Sequence, residues 1–286
     1  RQHRPHTGRG ESRGMSRTDI DPGLESVVEY IADSMAFEPD SYNESYLDRR
    51  VSARMRRTGC EDYGEYLEVL STDTDEQAAL LDALSINVTS FFRNPEVWEG
   101  LRGVLRELTT DSRTVRCWSA ACADGREPYS IAMLARDDRQ IDERAVEITA
   151  TDIDAETLSE ARNGVYESTR TTDIGAQLEP LSDPSDHVDI SEENTSFQVK
   201  QPVKQMVSFE QHDLISGPKK SGYDLVLCRN LLIYIDRSYK EPIFETLTEA
   251  LRQEGILTIG KSETLPRKFR DEYEPYDRGN HIYRRD

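Results

Sequence analysis

Lysine is absent until Lys200, and only 7 of the 36 basic residues are lysine; the other 29 are arginine. Against them stand 55 acidic residues, for a formal net charge of -19. Such a balance argues against broad nucleic-acid binding, whose affinity comes from neutralising phosphates. It is the balance expected of a protein from a high-salt cytoplasm, where the Debye length falls to about 3 Å at 1 M salt and self-repulsion is screened. Cysteine is also scarce. Cys60, Cys117, Cys122 and Cys228 form no CxxC pair, and the five histidines are scattered. Reduced thiols in a cytoplasmic protein, and no metal site, are therefore expected. No apolar run approaches the ~18 residues that span a bilayer. No stretch combines the charged start, apolar middle and small-residue cleavage site of a signal peptide. Mean hydropathy is -0.73, yet the helix and strand patterns are clear, so a folded, soluble protein is expected.

The pattern changes along the chain. Residues 1–17 carry Gly, Arg and His without apolar periodicity and read as a disordered tail, with Met15 as a candidate natural start. Residues 18–92 read as a small all-α domain. In "YLDRRVSARMRR", Leu47, Val51 and Met55 recur four apart, as on one helix face. From residue 93 to 286, short apolar strands alternate with helices: "VRCWSA", "VEITATD", "VSFEQHD", "YDLVLCRN" and "GILTIGKSE". That alternation predicts an α/β fold with a mostly parallel sheet and helices on both faces. The closing "HIYRRD" follows with no room for a crossover helix, which predicts an antiparallel edge strand. Residues 165–206 interrupt the rhythm with polar sequence, and about 178–206 read as a small β insertion with a turn at Glu192–Asn194.

The first strand runs into "AACADGRE", a loop of small residues with one glycine. Ligands of doubly wound sheets lie at the carboxyl ends of strands. The three glycines of a pyrophosphate cradle are missing, so a diphosphate is not the expected ligand. Asp152 ends the second strand 27 residues after Gly125, near the spacing of an acid that binds ribose hydroxyls. Asp154 reads as a helix N-cap, and Asp213, ending the third strand, could accept from an adenine amino group. Ribose and adenine without diphosphate suggest S-adenosylmethionine. Glu127 is equally readable as a first-turn acid favoured by the helix dipole, and Asp152 as a strand-end turn residue.

Four stretches, "NVTSFFRNPEVW" (87–98), "WSAACADGREPYSIAM" (118–133), "TATDIDAETLSEARNGVY" (149–166) and "YDLVLCRNLLIYID" (223–236), resemble the chemotaxis-receptor glutamate methyltransferases, the CheR family. "GILTIGKSE" is similar too, and the resemblance runs from about residue 20 to the C-terminus. It implies a Rossmann-like class I methyltransferase sheet behind a helical N-terminal domain, with a small β-subdomain inserted. It implies S-adenosylmethionine as methyl donor, S-adenosylhomocysteine as product, and glutamates of receptors as acceptors. Asn87, Thr89 and Arg93 match the segment that closes over the cofactor. Glu127 and Asp152 match cofactor-binding carboxylates, Asp213 and Leu214 a pair near adenine, and Cys228 and Arg229 a further cofactor contact. Tyr234 matches a tyrosine near the transferred methyl, and Arg93 could hold either the carboxylate of the cofactor's methionine part or the substrate glutamate; these two are the candidate catalytic residues. Arg126 departs from the pattern, standing where an acid is expected, and Asp213 stands where some relatives have Asn.

Arg50, Arg54 and Arg57 share one face of a predicted helix, with Arg49 and Arg56 beside them. Beside the resemblance, this face is expected to dock the acidic, cytoplasmic helical region of chemotaxis receptors. A monomer that is recruited to membrane receptors without inserting, from a halophilic archaeon, completes the expectation. Two other readings stand beside it: a receptor-binding adaptor without turnover, and a methyltransferase for another acceptor.

Overall fold

A computed structural model describes residues 21–35, 37, 39–84, 89–170 and 172–286. The expected tail and Asn87 lie outside the described residues. The chain divides into two compact units, Arg1–Leu84 and Ser85–Asp286.

The first unit holds α1 (Pro22–Ser34), α2 (Glu44–Thr58), α3 (Tyr63–Thr72) and α4 (Thr74–Leu84). Local chemistry sets the helix ends. Asp21, Asn43 and Asp62 accept from backbone N–H groups of the first turns of α1, α2 and α3, supplying acceptors for otherwise orphaned donors. Gly59 ends α2 in the left-handed region at φ 78°, which suits a residue without Cβ. Leu47, Val51 and Met55 are buried together with Leu24, Val27, Ile31, Leu70 and Leu80.

The arginine face of α2 is not uniform. Arg54 donates from Nε to Glu76 Oε1 at 2.9 Å and from a terminal nitrogen to Oε2 at 2.5 Å. Tyr66 donates its hydroxyl to the same carboxylate at 2.7 Å. Arg54 therefore ties α2 to α4 inside the domain, which corrects its expected place in a docking patch. Arg50 lies over the Tyr46 ring at 5.2 Å, while Arg56 and Arg57 are exposed.

The second unit opens with α5 (Pro95–Asp111). It continues through β1 (Val115–Ser119), α6 (Arg126–Asp137), β2 (Val146–Asp152), α7 (Ala155–Asn163), β3 (Val165–Glu167), α8 (Ile174–Gln177), β4 (Val188–Ile190), β5 (Ser196–Val199) and α9 (Gln201–Lys204). It ends with β6 (Val207–Gln211), β7 (Tyr223–Cys228), α10 (Arg237–Ala250), β8 (Leu251–Ile259), β9 (Tyr273–Asp277) and β10 (Ile282–Arg285). Seven strands form one sheet in the order β6-β2-β1-β7-β8-β10-β9. The first five are parallel, and β10 pairs antiparallel with both β8 and β9. All of β7 is buried, as expected of a central parallel strand covered on both faces.

The terminal strand is antiparallel as expected, but it is not the edge. β9 lies outside it, and Pro275 explains why "YEPYD" was not read as a strand: proline lacks a ladder donor and is tolerated at sheet edges. The polar interruption forms a second, three-stranded antiparallel sheet in the order β3-β5-β4. The turn between β4 and β5 uses Asn194 at φ 55°.

Removing Arg54 leaves a buried carboxylate without its cation, a change that typically costs ~3–5 kcal/mol. Arg54→Ala should lower the melting temperature of the protein clearly, and Arg57→Ala should leave it almost unchanged, as read by circular dichroism. Equal, small shifts would refute the structural assignment of Arg54.

Candidate active site

The loop from Ala120 to Gly125 leaves the carboxyl end of β1 and is stitched to both neighbouring strands. Ala120 N–H donates to Leu227 O at 2.8 Å and Cys122 N–H to Thr151 O at 2.9 Å. Its glycine serves the protein. Gly125 has φ 89°, and a Cβ there would sit 2.9 Å from Ala161 and 3.2 Å from Phe209. Ala123 is also left-handed, at φ 46°. Its N–H donates to Asp152 Oδ2 at 2.8 Å, so the aspartate holds the loop in a conformation alanine seldom adopts. Asp154 N–H donates to the other Asp152 oxygen at 3.1 Å. Asp154 caps α7, accepting from Glu156 and Thr157 N–H, as expected from its place in the sequence. A carboxylate has about four lone-pair sites, so Asp152 keeps acceptor capacity beyond these two bonds.

Glu127 sits in the first turn of α6 and is only 9% exposed. Ser119 donates to Oε1 at 2.8 Å, and Arg229 lies 3.4 Å from Oε2. Burial pushes the Glu127 carboxyl up, and the Arg229 charge and the Ser119 hydroxyl oppose that shift. Burial likewise pushes Asp152 up against the pull of the backbone N–H groups of Asp154 and Ala123.

Arg229 is buried and turned into the protein. One terminal nitrogen donates to Arg93 O at 2.8 Å and to Asn94 Oδ1 at 3.2 Å. Its guanidinium lies 5.8 Å from the centre of the Trp98 ring, and Trp98 Nε1 donates to Arg93 O at 3.0 Å. The side chain expected at the cofactor thus brackets the Arg93 turn against Glu127.

That turn is held along its whole length. Arg126 donates to Thr89 O at 3.0 Å, Phe91 N–H to Gln177 Oε1 at 2.9 Å, and Phe92 N–H to Ser130 Oγ at 3.0 Å. Phe91 and Phe92 are buried anchors. Phe92 and Asn94 both have positive φ, 46° and 58°, which costs energy in a non-glycine residue and persists only where surroundings impose it. Arg93, between them, is half-buried, and its charge acts on both Glu127 and Arg229.

The structure brings Thr89, Arg93, Glu127, Asp152 and Arg229 to the carboxyl ends of β1, β2 and β7. Asp213 and Leu214 follow β6, whose Gln211 pairs with Asp152. Much of the Asp213 carboxylate is used locally: Ile215 N–H donates to Oδ1 at 2.8 Å and the Ser216 hydroxyl donates to Oδ2. Cys228 is fully buried, with its thiol pushed up by burial, which leaves its backbone as the part able to meet a ligand. Tyr234 is half-exposed in the loop after β7. Arg50, Arg54 and Arg57 belong to the first unit. Sequence reasoning did not single out Ser119 or Glu263. The one signal for Glu263 is an acid placed just after a buried apolar strand.

The acids of this site test what it can hold. A diphosphate would add negative charge beside buried Glu127 and half-buried Asp152, with no glycine cradle to offset it. A ligand carrying ammonium, sulfonium and ribose hydroxyl groups fits the same residues.

Family models agree with that chemistry. The model described as "CheR methyltransferase, SAM binding domain" matches residues 87–279. "CheR methyltransferase, all-alpha domain" matches residues 22–85. The chain belongs to the CheR methyltransferase family. A chemotaxis protein methyltransferase of Listeria monocytogenes is 34% identical over 226 residues, covering 78% of this chain and 83% of that protein. One of Borreliella burgdorferi is 29% identical over 256 residues, covering 85% and 88%. A protein named as a probable biofilm formation methyltransferase, from Pseudomonas aeruginosa, is 31% identical over 237 residues, covering 80% and 54%.

Asp124, beside the site, yields a pH test. Burial raises its carboxyl from 3.8 to about 6, more than Arg126, 3.2 Å away, can offset. A raised folded pKa means stability present at low pH and lost as pH rises through about 6. The melting temperature of wild type minus that of Asp124→Asn should therefore fall from pH 4 to pH 7. A difference that stays flat across that range contradicts the shift.

Proposed function

We propose that this protein transfers a methyl group from S-adenosylmethionine to glutamate side chains of chemotaxis receptors, forming methyl esters. The observation that carries the reading is the joining of the Arg93 turn, through Arg229, to buried Glu127, with Asp152 at the end of the neighbouring strand. When bound, the cofactor supplies an electrophilic methyl on a sulfonium. Asp152 accepts from ribose hydroxyls, and Glu127 sets negative charge beside the cationic part of the ligand. Thr89, with Asn87, closes the segment over it. The backbone at Asp213–Leu214 and Cys228–Arg229 borders the ligand, and the Arg229 side chain works behind it.

The acceptor carboxylate is already ionised at pH 7, so no general base is required, and His is absent from the motifs. The protein's task is alignment and removal of water from the nucleophile. Arg93 holds the carboxylate of the methionine part or orients the substrate loosely; a tight bidentate pair with the substrate would stabilise the ground state and slow transfer. Tyr234 lines the methyl path from the loop after β7.

The proposed division of labour is a helical docking domain at 18–92 and a transferase domain at 93–286, preceded by a 1–17 tail. Arg50 and Arg57, with Arg49 and Arg56, form the face for the receptor's acidic helical region. The proposed protein is a monomer that works in the cytoplasm and is recruited to receptors without inserting. The acidic, lysine-poor composition supports a high-salt setting of the halophilic kind.

Calorimetry should show S-adenosylhomocysteine binding to wild type and much weaker binding to Asp152→Asn, with no heat from a dinucleotide. Tritium from labelled S-adenosylmethionine should appear in receptor-containing membranes and leave as methanol on base treatment. Binding without methanol release would favour an adaptor, and base-stable label another acceptor.

Arg50→Glu with Arg57→Glu should cut methylation of receptor membranes about tenfold, the scale of a few lost exposed charge contacts. Binding of S-adenosylhomocysteine should be unchanged. Full activity in the double variant would remove the docking role.

A further inference from the structure

The loop after β7, Arg229–Asp236, supplies both the buried bracket Arg229 and the rim residue Tyr234. It has little regular structure of its own, so something must hold it. Two of its backbone donors converge on one side chain from the next strand's exit. Glu263 Oε1 accepts from Leu232 N–H at 2.7 Å, and Oε2 accepts from Asn230 N–H at 3.1 Å. The same Oε2 accepts from Gly260 N–H at 2.6 Å. Burial pushes the Glu263 carboxyl up, and the N–H groups of Gly260, Asn230, Leu232 and Ile233 oppose that shift. Glu263 is 4% exposed.

The surrounding residues are shaped to this carboxylate. A Cβ on Gly260 would lie 2.6 Å from Glu263 Oε2 and 2.8 Å from Asn230 N, so only glycine lets the three approach. Asn230 stands at φ 62°, in the region that asparagine tolerates best among residues with a side chain. The carboxylate thus locks the turn that starts at Arg229 to the end of β8. A buried carboxylate gains from accepting several N–H bonds, its charge also acts on Arg229, and those N–H groups lose this acceptor if it goes.

We propose that Glu263 is the positioning residue for methyl transfer: it clamps the Arg229–Asp236 loop so that Arg229 reaches Glu127 and the Arg93 turn while Tyr234 stays at the rim. The proposal rests on the methyltransferase reading above. Glu263 meets neither substrate nor cofactor; it acts through the backbone it holds. Misplacing reacting groups by about 1 Å can cost on the order of 10²-fold in rate, so loosening this loop should be felt mainly in turnover.

Glu263→Gln keeps the size but presents an amide NH₂ to backbone donors on one side. In this variant kcat on receptor membranes should fall about 10- to 100-fold. The dissociation constant for S-adenosylhomocysteine should change less than about threefold, because its proposed main acceptors, Asp152 and Glu127, are on β2 and α6. Unchanged kcat, or affinity falling in step with kcat, would overturn the proposal. Hydrogen exchange on the wild type gives a test that survives a poorly folding variant. The Asn230 and Leu232 amides should exchange as slowly as those of β7 and β8, although they lie in a loop; rapid exchange would overturn the clamp. If wild type bound cofactor but methylated no receptor, the functional reading would fail, and the exchange result would still decide whether the clamp exists.

Discussion

A carboxylate carried into an interior needs donors and a cation, and Glu127 obtains both from distant parts of the chain. Ser119 reaches it from the end of β1 and Arg229 from the end of β7. Because the guanidinium must be buried to do this, its remaining donors also need partners. One terminal nitrogen donates to Arg93 O and Asn94 Oδ1 and Trp98 covers its face, while Nε is buried without a hydrogen-bond partner. One buried charge pair thereby connects the first strand, the first turn of α6, the central strand and the segment that bears Arg93. Such a pair gives modest net stability, since desolvation offsets most of the attraction. Its effect is geometric: the Arg93 turn has one place to sit.

The same economy governs the other loops at the strand ends. Ala123, Phe92, Asn94 and Asn230 all adopt left-handed backbone conformations. Three of them have their N–H held by a side chain from another element: Ala123 by Asp152, Phe92 by Ser130, and Asn230 by Glu263. Local strain of this sort persists only where the surroundings over-determine it. The site is therefore built from tight turns fastened to a rigid parallel sheet, which keeps its groups in place before a ligand arrives. Arg126, which departs from the expected family pattern, takes part in this fastening through Thr89 O.

Elements whose cause is local were legible. Four-residue apolar spacing marked α2, the Asp154 cap marked the start of α7, and the apolar runs marked the parallel strands. The turn around Glu192–Asn194 was visible from its polar residues. β9 was missed because its charges and Pro275 obscure strand alternation, and it is stable only through pairing with β10. Arg54 was placed on a basic surface because helical spacing shows which residues share a face, not whether a carboxylate waits on another helix. Glu76 lies 22 positions away, beyond any local pattern. Asp213 was read as a ligand acceptor, whereas much of its carboxylate is engaged by the two residues that follow.

By itself, then, the sequence determined the main helices and the parallel strands, which loop lacks a phosphate cradle, and which acids end the strands. These follow from spacing, caps and backbone preferences that act over a few residues. Tertiary structure alone decided that Arg229 serves Glu127 from 102 positions away, that Arg54 is internal, and that Glu263 gathers N–H groups from two strand exits. Those outcomes depend on which polar groups are left together when the sheet closes over its core. A buried donor must take whatever acceptor packing brings to it, and no local rule names that partner in advance.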